Sequence, residues 1–134
     1  MYKILLIEEN TILRTGIEAL FVVNHQFQLI ESANSIEEAV TIKSLAAVDL
    51  IITDISSNPL KVTRDMEALR SSFPEARILI FTWADKKESA LAAMEANAAT
   101  YLLKEASGEK LLETLRQLMD ERGDSEATIL PSGA

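Results

Sequence analysis

The sequence contains no cysteine, and that absence removes disulfides, thiolate metal sites and cysteine nucleophiles together. Histidine occurs once, at His25, in a polar stretch with no catalytic or ligating neighbour, so it reads as a surface residue. Glycine is scarce: the four present are not clustered, which argues against the glycine-rich phosphate loop of a nucleotide- or flavin-dependent enzyme. Basic side chains are also in short supply, thirteen against twenty-one acidic ones for a formal charge of -8. A phosphate backbone repels such a surface, so any DNA binding would need a second, basic domain outside this chain. No apolar run approaches the ~20 residues that span a bilayer. The opening stretch Met1 to Ile7 is too short for a signal peptide and is followed at once by acids. A cytoplasmic protein with no membrane association is the expectation.

What is present is enough for one folded domain: 134 residues, 48% of them apolar. Four short, nearly continuous apolar runs stand out at Ile4 to Ile7, Leu50 to Ile52, Ile78 to Phe81 and Tyr101 to Leu103. Strands covered on both faces read this way. A fifth, more polar candidate, Phe27 to Ser32, suits an edge. Helical stripes lie between them. Leu13, Ile17, Leu20 and Phe21 follow a candidate N-cap at Asn10. Ser35 with Glu38, and Asp85 with Glu88, have the spacing of a capping box. Met66, Leu69 and Phe73 line a helix that should stop before Pro74, and Asn97 sits where the fourth helix should end. Leu111, Leu115 and Leu118 stripe a last helix that Ser107 can cap. The alternation βαβαβαβαβα, with right-handed crossovers, predicts an α/β fold with a doubly wound, five-stranded parallel sheet. It should occupy residues 1–121, with 122–134 a linker or tail.

Ligands of such sheets bind beyond the carboxyl ends of the strands. There the sequence places Glu8 and Glu9 after the first strand, Asp54 after the third, Thr82 after the fourth and Lys104 after the fifth. Two carboxylates ~5 Å apart repel by roughly 3 kcal/mol at an effective dielectric near 20. A hard divalent cation and the lysine would offset that cost, and oxygen ligands suit Mg²⁺. The set therefore fits phosphoryl transfer, with an Asp54 oxygen attacking phosphorus.

On these residues the sequence resembles the receiver domains of two-component response regulators, across roughly residues 3 to 120. It presents the acidic pair as Glu8-Glu9, the phospho-acceptor as Asp54, the hydroxyl as Thr82 and the lysine as Lys104, in the family's order and spacing. Asn10-Thr11-Ile12-Leu13-Arg14-Thr15-Gly16-Ile17, Arg70 to Ile78 and Tyr101 to Ser107 are similar to stretches of the subfamily with a LuxR-type (NarL/FixJ-like) helix-turn-helix output domain. Ile129-Leu130-Pro131 resembles the linker before that domain. The resemblance implies a flavodoxin-like (βα)5 fold with strand order 2-1-3-4-5. It implies a signalling module, not an enzyme, in which Asp54, Lys104 and Thr82 do the chemistry. Mg²⁺ would be held by Glu8, Glu9, Asp54 and the Ser56 backbone carbonyl, and Thr82 and Tyr101 would act as the switch. The implied partners are a histidine kinase, a second copy of the chain in a homodimer, and DNA only through a C-terminal domain not in this chain.

Three departures from the family pattern bear on that function. Glu9 stands where the family has Asp, and the extra methylene moves its carboxylate by about 1.5 Å. Ser56 to Val62 has no glycine and a displaced proline, Pro59. Trp83 replaces a small residue beside Thr82 and is expected to control access to Asp54. These features support an alternative: a pseudo-receiver used as a phosphorylation-independent binding or dimerisation module.

Overall fold

The computed structural model describes residues 1–42 and 47–121; the linker expected at 122–134 lies outside them. Five strands, Tyr2–Ile7 (β1), Phe27–Ala33 (β2), Leu50–Thr53 (β3), Arg77–Thr82 (β4) and Thr100–Leu103 (β5), pair in parallel in the order β2-β1-β3-β4-β5. This is the expected order. The helices are Thr11–Val22 (α1), Ile36–Ala39 (α2), Pro59–Ser72 (α3), Lys87–Glu95 (α4) and Gly108–Glu121 (α5).

Alternation along the strands splits the core into two sets. Leu5, Ile7, Ile51, Ile78 and Ile80 point to one face and cluster with Val62, Met66 and Leu69 of α3 and Ala90 and Ala93 of α4. Ile4, Leu6, Leu50, Ile52, Leu79 and Phe81 point the other way and are also buried. There Phe21 of α1 meets Phe27 edge-on, ring centroids 6.3 Å apart. Burying each such aliphatic side chain stabilises by roughly 1.5–3 kcal/mol before entropy is counted. The run Tyr101 to Leu103 departs from its expectation. As the last strand of the sheet, β5 alternates, leaving Tyr101 and Leu103 exposed.

Most helix boundaries follow the expected chemistry. The Asn10 side chain accepts from Leu13 N–H, Ser35 from Glu38 N–H and Ser107 from Lys110 N–H, each relieving an orphan donor of a first turn. Asn97 ends α4 at φ 72°, the left-handed conformation. The capping box at Asp85 and Glu88 does not form. Ala84–Lys86 is instead a turn of 3-10 helix, and α4 starts at Lys87 with no side-chain cap. The displaced proline also has its explanation. Asn58 caps α3 by accepting from Leu60 N–H, and Pro59 takes the first helical position, where its missing N–H costs nothing. The last helix, α5, is a separate unit of the chain, and its stripe of Leu111, Leu115, Leu118 and Met119 is buried.

Candidate functional site

Three backbone hydrogen bonds carry the parallel ladder one step past the strand ends. Glu8 N–H donates to Ala33 O at 2.9 Å, Asp54 N–H to Ile7 O at 3.3 Å and Lys104 N–H to Thr82 O at 2.8 Å. The sheet itself therefore brings Glu8, Asp54 and Lys104 onto one rim. Arg14 of α1 adds a brace, donating to the Glu8 carbonyl at 3.2 Å and to the Asn34 side chain.

Lys104 is the centre of this rim. Its side chain is 2% exposed, and its Nζ lies 2.7 Å from Asp54 Oδ2 and 2.9 Å from Glu8 Oε1. Burial alone would pull its pKa down; the hydrogen bonds to Asp54 and Glu8 outweigh that and hold it above the ordinary lysine value. Burial likewise works against the charged form of Asp54. It is overcome by hydrogen bonding from Lys104, by the nearby Thr82 hydroxyl and by Ile55 N–H at 2.7 Å, so the carboxyl stays below its usual range. Asp54 is thus an ionised carboxylate with a lysine fixed on one oxygen. The Thr82 Oγ1 is fully buried and, among the described residues, makes no hydrogen bond of normal geometry. Trp83 stands half-exposed beside the rim with its ring centroid 5.8 Å from Lys104 Nζ, within cation–π reach. Tyr101, 41% exposed, points away from the core.

The expected metal carboxylates lie near one another but are not arranged around a single ion. Glu8 is 4% exposed and spends its oxygens within the protein, Oε1 on Lys104 and Oε2 on Asn10 N–H at 3.0 Å. Glu9 is exposed and makes no hydrogen bond or ion pair among the described residues. Both residues lie past the end of β1, where Glu8 turns inward to Lys104 and Glu9 stays at the surface of the cleft beside Asp54. The Ser56 side chain accepts from Asn58 N–H. Among the described residues no group of three or more carboxylates or histidines is arranged to hold a metal ion.

A residue the sequence reading missed takes part instead. Lys86 Nζ lies 3.4 and 3.5 Å from the two Asp54 carboxylate oxygens and 2.8 Å from the Ile55 carbonyl. A signal for it existed. Two consecutive lysines, Lys86 and Lys87, at a helix start oppose the helix dipole, which suggests that one of them is held by an outside partner. Lys86, Asp54, Ser56, Glu9, Lys61 and Asp65 line a polar cleft of about 360 Å³, in which Lys61 is already paired with Glu37 and Asp65.

Comparison with known proteins adds a consistent picture. The sequence profile described as "Response regulator receiver domain" matches residues 4–116. A nitrate/nitrite response regulator protein homolog of Haemophilus influenzae is 30% identical over 116 residues, 87% of this chain and 56% of that protein. The nitrate/nitrite response regulator protein NarL of Escherichia coli is 28% identical over 114 residues, 85% of this chain and 53% of that protein. The chain thus spans about half the length of the curated relatives it matches. A LuxR-family DNA-binding response regulator from Staphylococcus aureus shares the fold at a TM-score of 0.75 and 19% identity, covering 88% of this chain and 98% of that one.

Proposed function

The chain belongs to the response regulator receiver family, and on that premise we propose that Asp54 accepts a phosphoryl group from a histidine kinase. The observation that carries the reading is the pairing of an ionised Asp54 with the buried Lys104 ammonium, near a buried Thr82 hydroxyl that has no hydrogen-bond partner among the described residues. An Asp54 oxygen attacks phosphorus as the donor's P–N bond breaks, and the electron pair leaves with the imidazole nitrogen. Lys104 neutralises charge on the acyl phosphate formed. The Thr82 hydroxyl then has the acceptor it lacks, a phosphoryl oxygen, and its movement vacates space into which Tyr101 turns. That exchange alters the surface around α4 and β5, and with it a homodimer contact. DNA binding and transcription control belong to a C-terminal helix-turn-helix domain outside this chain. No described helix is long and apolar enough to cross a membrane, and a cytoplasmic setting suits the family. The family typically binds Mg²⁺ at this site, but the side chains do not fit the ion as they stand: Glu8 is spent on Lys104 and Asn10, and Lys86 lies against Asp54.

The Lys86 contact on Asp54 favours a second reading, a pseudo-receiver that binds or dimerises without phosphorylation. Incubation with Mg²⁺ and acetyl phosphate or phosphoramidate, followed by intact mass, separates the two. The expected result is a gain of one phosphoryl group that Asp54→Asn abolishes. Trp83→Ala should speed labelling and shorten the label's lifetime, since donor and attacking water share one approach. A label that survives Asp54→Asn refutes the mechanism; no label in either the native chain or Trp83→Ala leaves the pseudo-receiver.

A further inference from the structure

The Lys86 ammonium meets three oxygens: both of Asp54 and the carbonyl of Ile55. These are a carboxylate and a backbone carbonyl, the hard oxygen donors that a divalent cation also prefers. An ammonium has three N–H groups to offer, and here each has an oxygen within reach. The placement is not explained by the helix that Lys86 precedes. A cation at the start of α4 faces the positive end of its dipole, so the attraction that holds it comes from Asp54 and Ile55.

We propose that Lys86 is the resident counter-ion of Asp54, occupying the donors that a divalent cation would need, so that residue 86 sets the metal affinity of the site. The charge balance supports this. Glu8, Glu9 and Asp54 carry three negative charges on the rim and its adjoining cleft, and Lys104 and Lys86 return two positive ones. A single negative charge remains, too little to neutralise a divalent ion. Without Lys86 the rim would carry two, the complement of Mg²⁺. Lys86 is also only partly buried, its side chain 25% exposed, so it can be displaced into solvent at high metal concentration. Affinity for divalent cations is therefore low and governed by competition, whether or not Asp54 is ever phosphorylated.

The test needs no phosphodonor. Mg²⁺ and, separately, Mn²⁺ are titrated into the native chain and into Lys86→Met, Lys86→Arg and Lys86→Met/Asp54→Asn. Binding is read by calorimetry and by fluorescence of Trp83, the single tryptophan. Lys86→Met keeps the aliphatic stem but removes the charge, and should tighten binding by roughly tenfold or more. Lys86→Arg keeps the charge and should stay as weak as the native chain. The gain must vanish in the double variant. Circular dichroism checks that each variant folds, and Lys86→Gln replaces Lys86→Met if methionine disturbs the fold. Equal affinities for the native chain and the uncharged variant would overturn the proposal, as would a gain that persists without Asp54.

Discussion

Replacing Lys104 by methionine probes the most deeply buried charge of the rim. The substitution keeps the stem and deletes the ammonium, leaving the Glu8 carboxylate buried without its counter-charge. At 2.9 Å and an effective dielectric near 20, the Glu8–Lys104 attraction is roughly 6 kcal/mol. Removing one member of a buried pair costs about 3–5 kcal/mol in practice. The Asn10 N–H still on Glu8 Oε2 favours the lower part of that range. Losing the contact to Asp54, whose side chain is 22% exposed, adds roughly 1 kcal/mol or less after solvent screening. A domain of this size is stable by about 5–15 kcal/mol, so Lys104→Met should fold but sit close to its limit. Urea denaturation followed by circular dichroism measures the loss. Glu8→Gln in the same chain removes the stranded charge and should restore more than half of it. A loss below about 1 kcal/mol for Lys104→Met, or no recovery with Glu8→Gln, would refute the buried-pair account.

Two further outcomes follow from local features. The Asp54 carboxyl is held below its ordinary value of 3.8, so its charge adds stability that is present above that pH and lost as pH falls through the lower folded value. The stability difference between the native chain and Asp54→Asn, from urea midpoints, should therefore shrink below pH 3.8; a difference that grows toward acid would contradict the assignment. Gly16 lies inside α1 with nothing within 4 Å of where a Cβ would sit, so Gly16→Ala should stabilise by about 0.5–1 kcal/mol in thermal melts.

The parts of the molecule legible in the sequence are those governed by short-range chemistry. Asn10, Ser35 and Ser107 cap the helices they precede because each needs only its own neighbours to do so. Strand positions followed from apolar runs, and the rim residues followed from the strand ends. What escaped notice depends on contacts distant in sequence. Asp85 and Glu88 have capping spacing, yet Ala84–Lys86 forms a 3-10 turn from which Lys86 reaches back to Asp54, thirty-two positions away. Glu8 and Glu9 look like a pair on the page, but only the fold decides which of them faces Lys104. The edge position of β5 is likewise invisible in its four residues. The Asn58-Pro59 helix start has a local signal, an Asn cap followed by proline at the first helical position, although the family pattern puts its proline elsewhere.

The lining of the cleft beside Asp54 has a kinetic consequence. Glu9, Glu37, Asp54 and Asp65 contribute four carboxylates, while Lys61 and Lys86 contribute the only two ammonium groups among the lining residues. An anionic small molecule diffusing toward this mouth moves uphill, against both the local deficit and the charge of -8 on the whole chain. Encounters between oppositely charged partners slow as ionic strength rises. Here added salt shortens the Debye length and lowers the repulsion, so small anions reach Asp54 faster. A protein donor with a basic docking face is drawn in by the same field. On the proposed reading of Asp54 as phospho-acceptor, the rim would discriminate between carriers of one and the same reactive group before any bond is made.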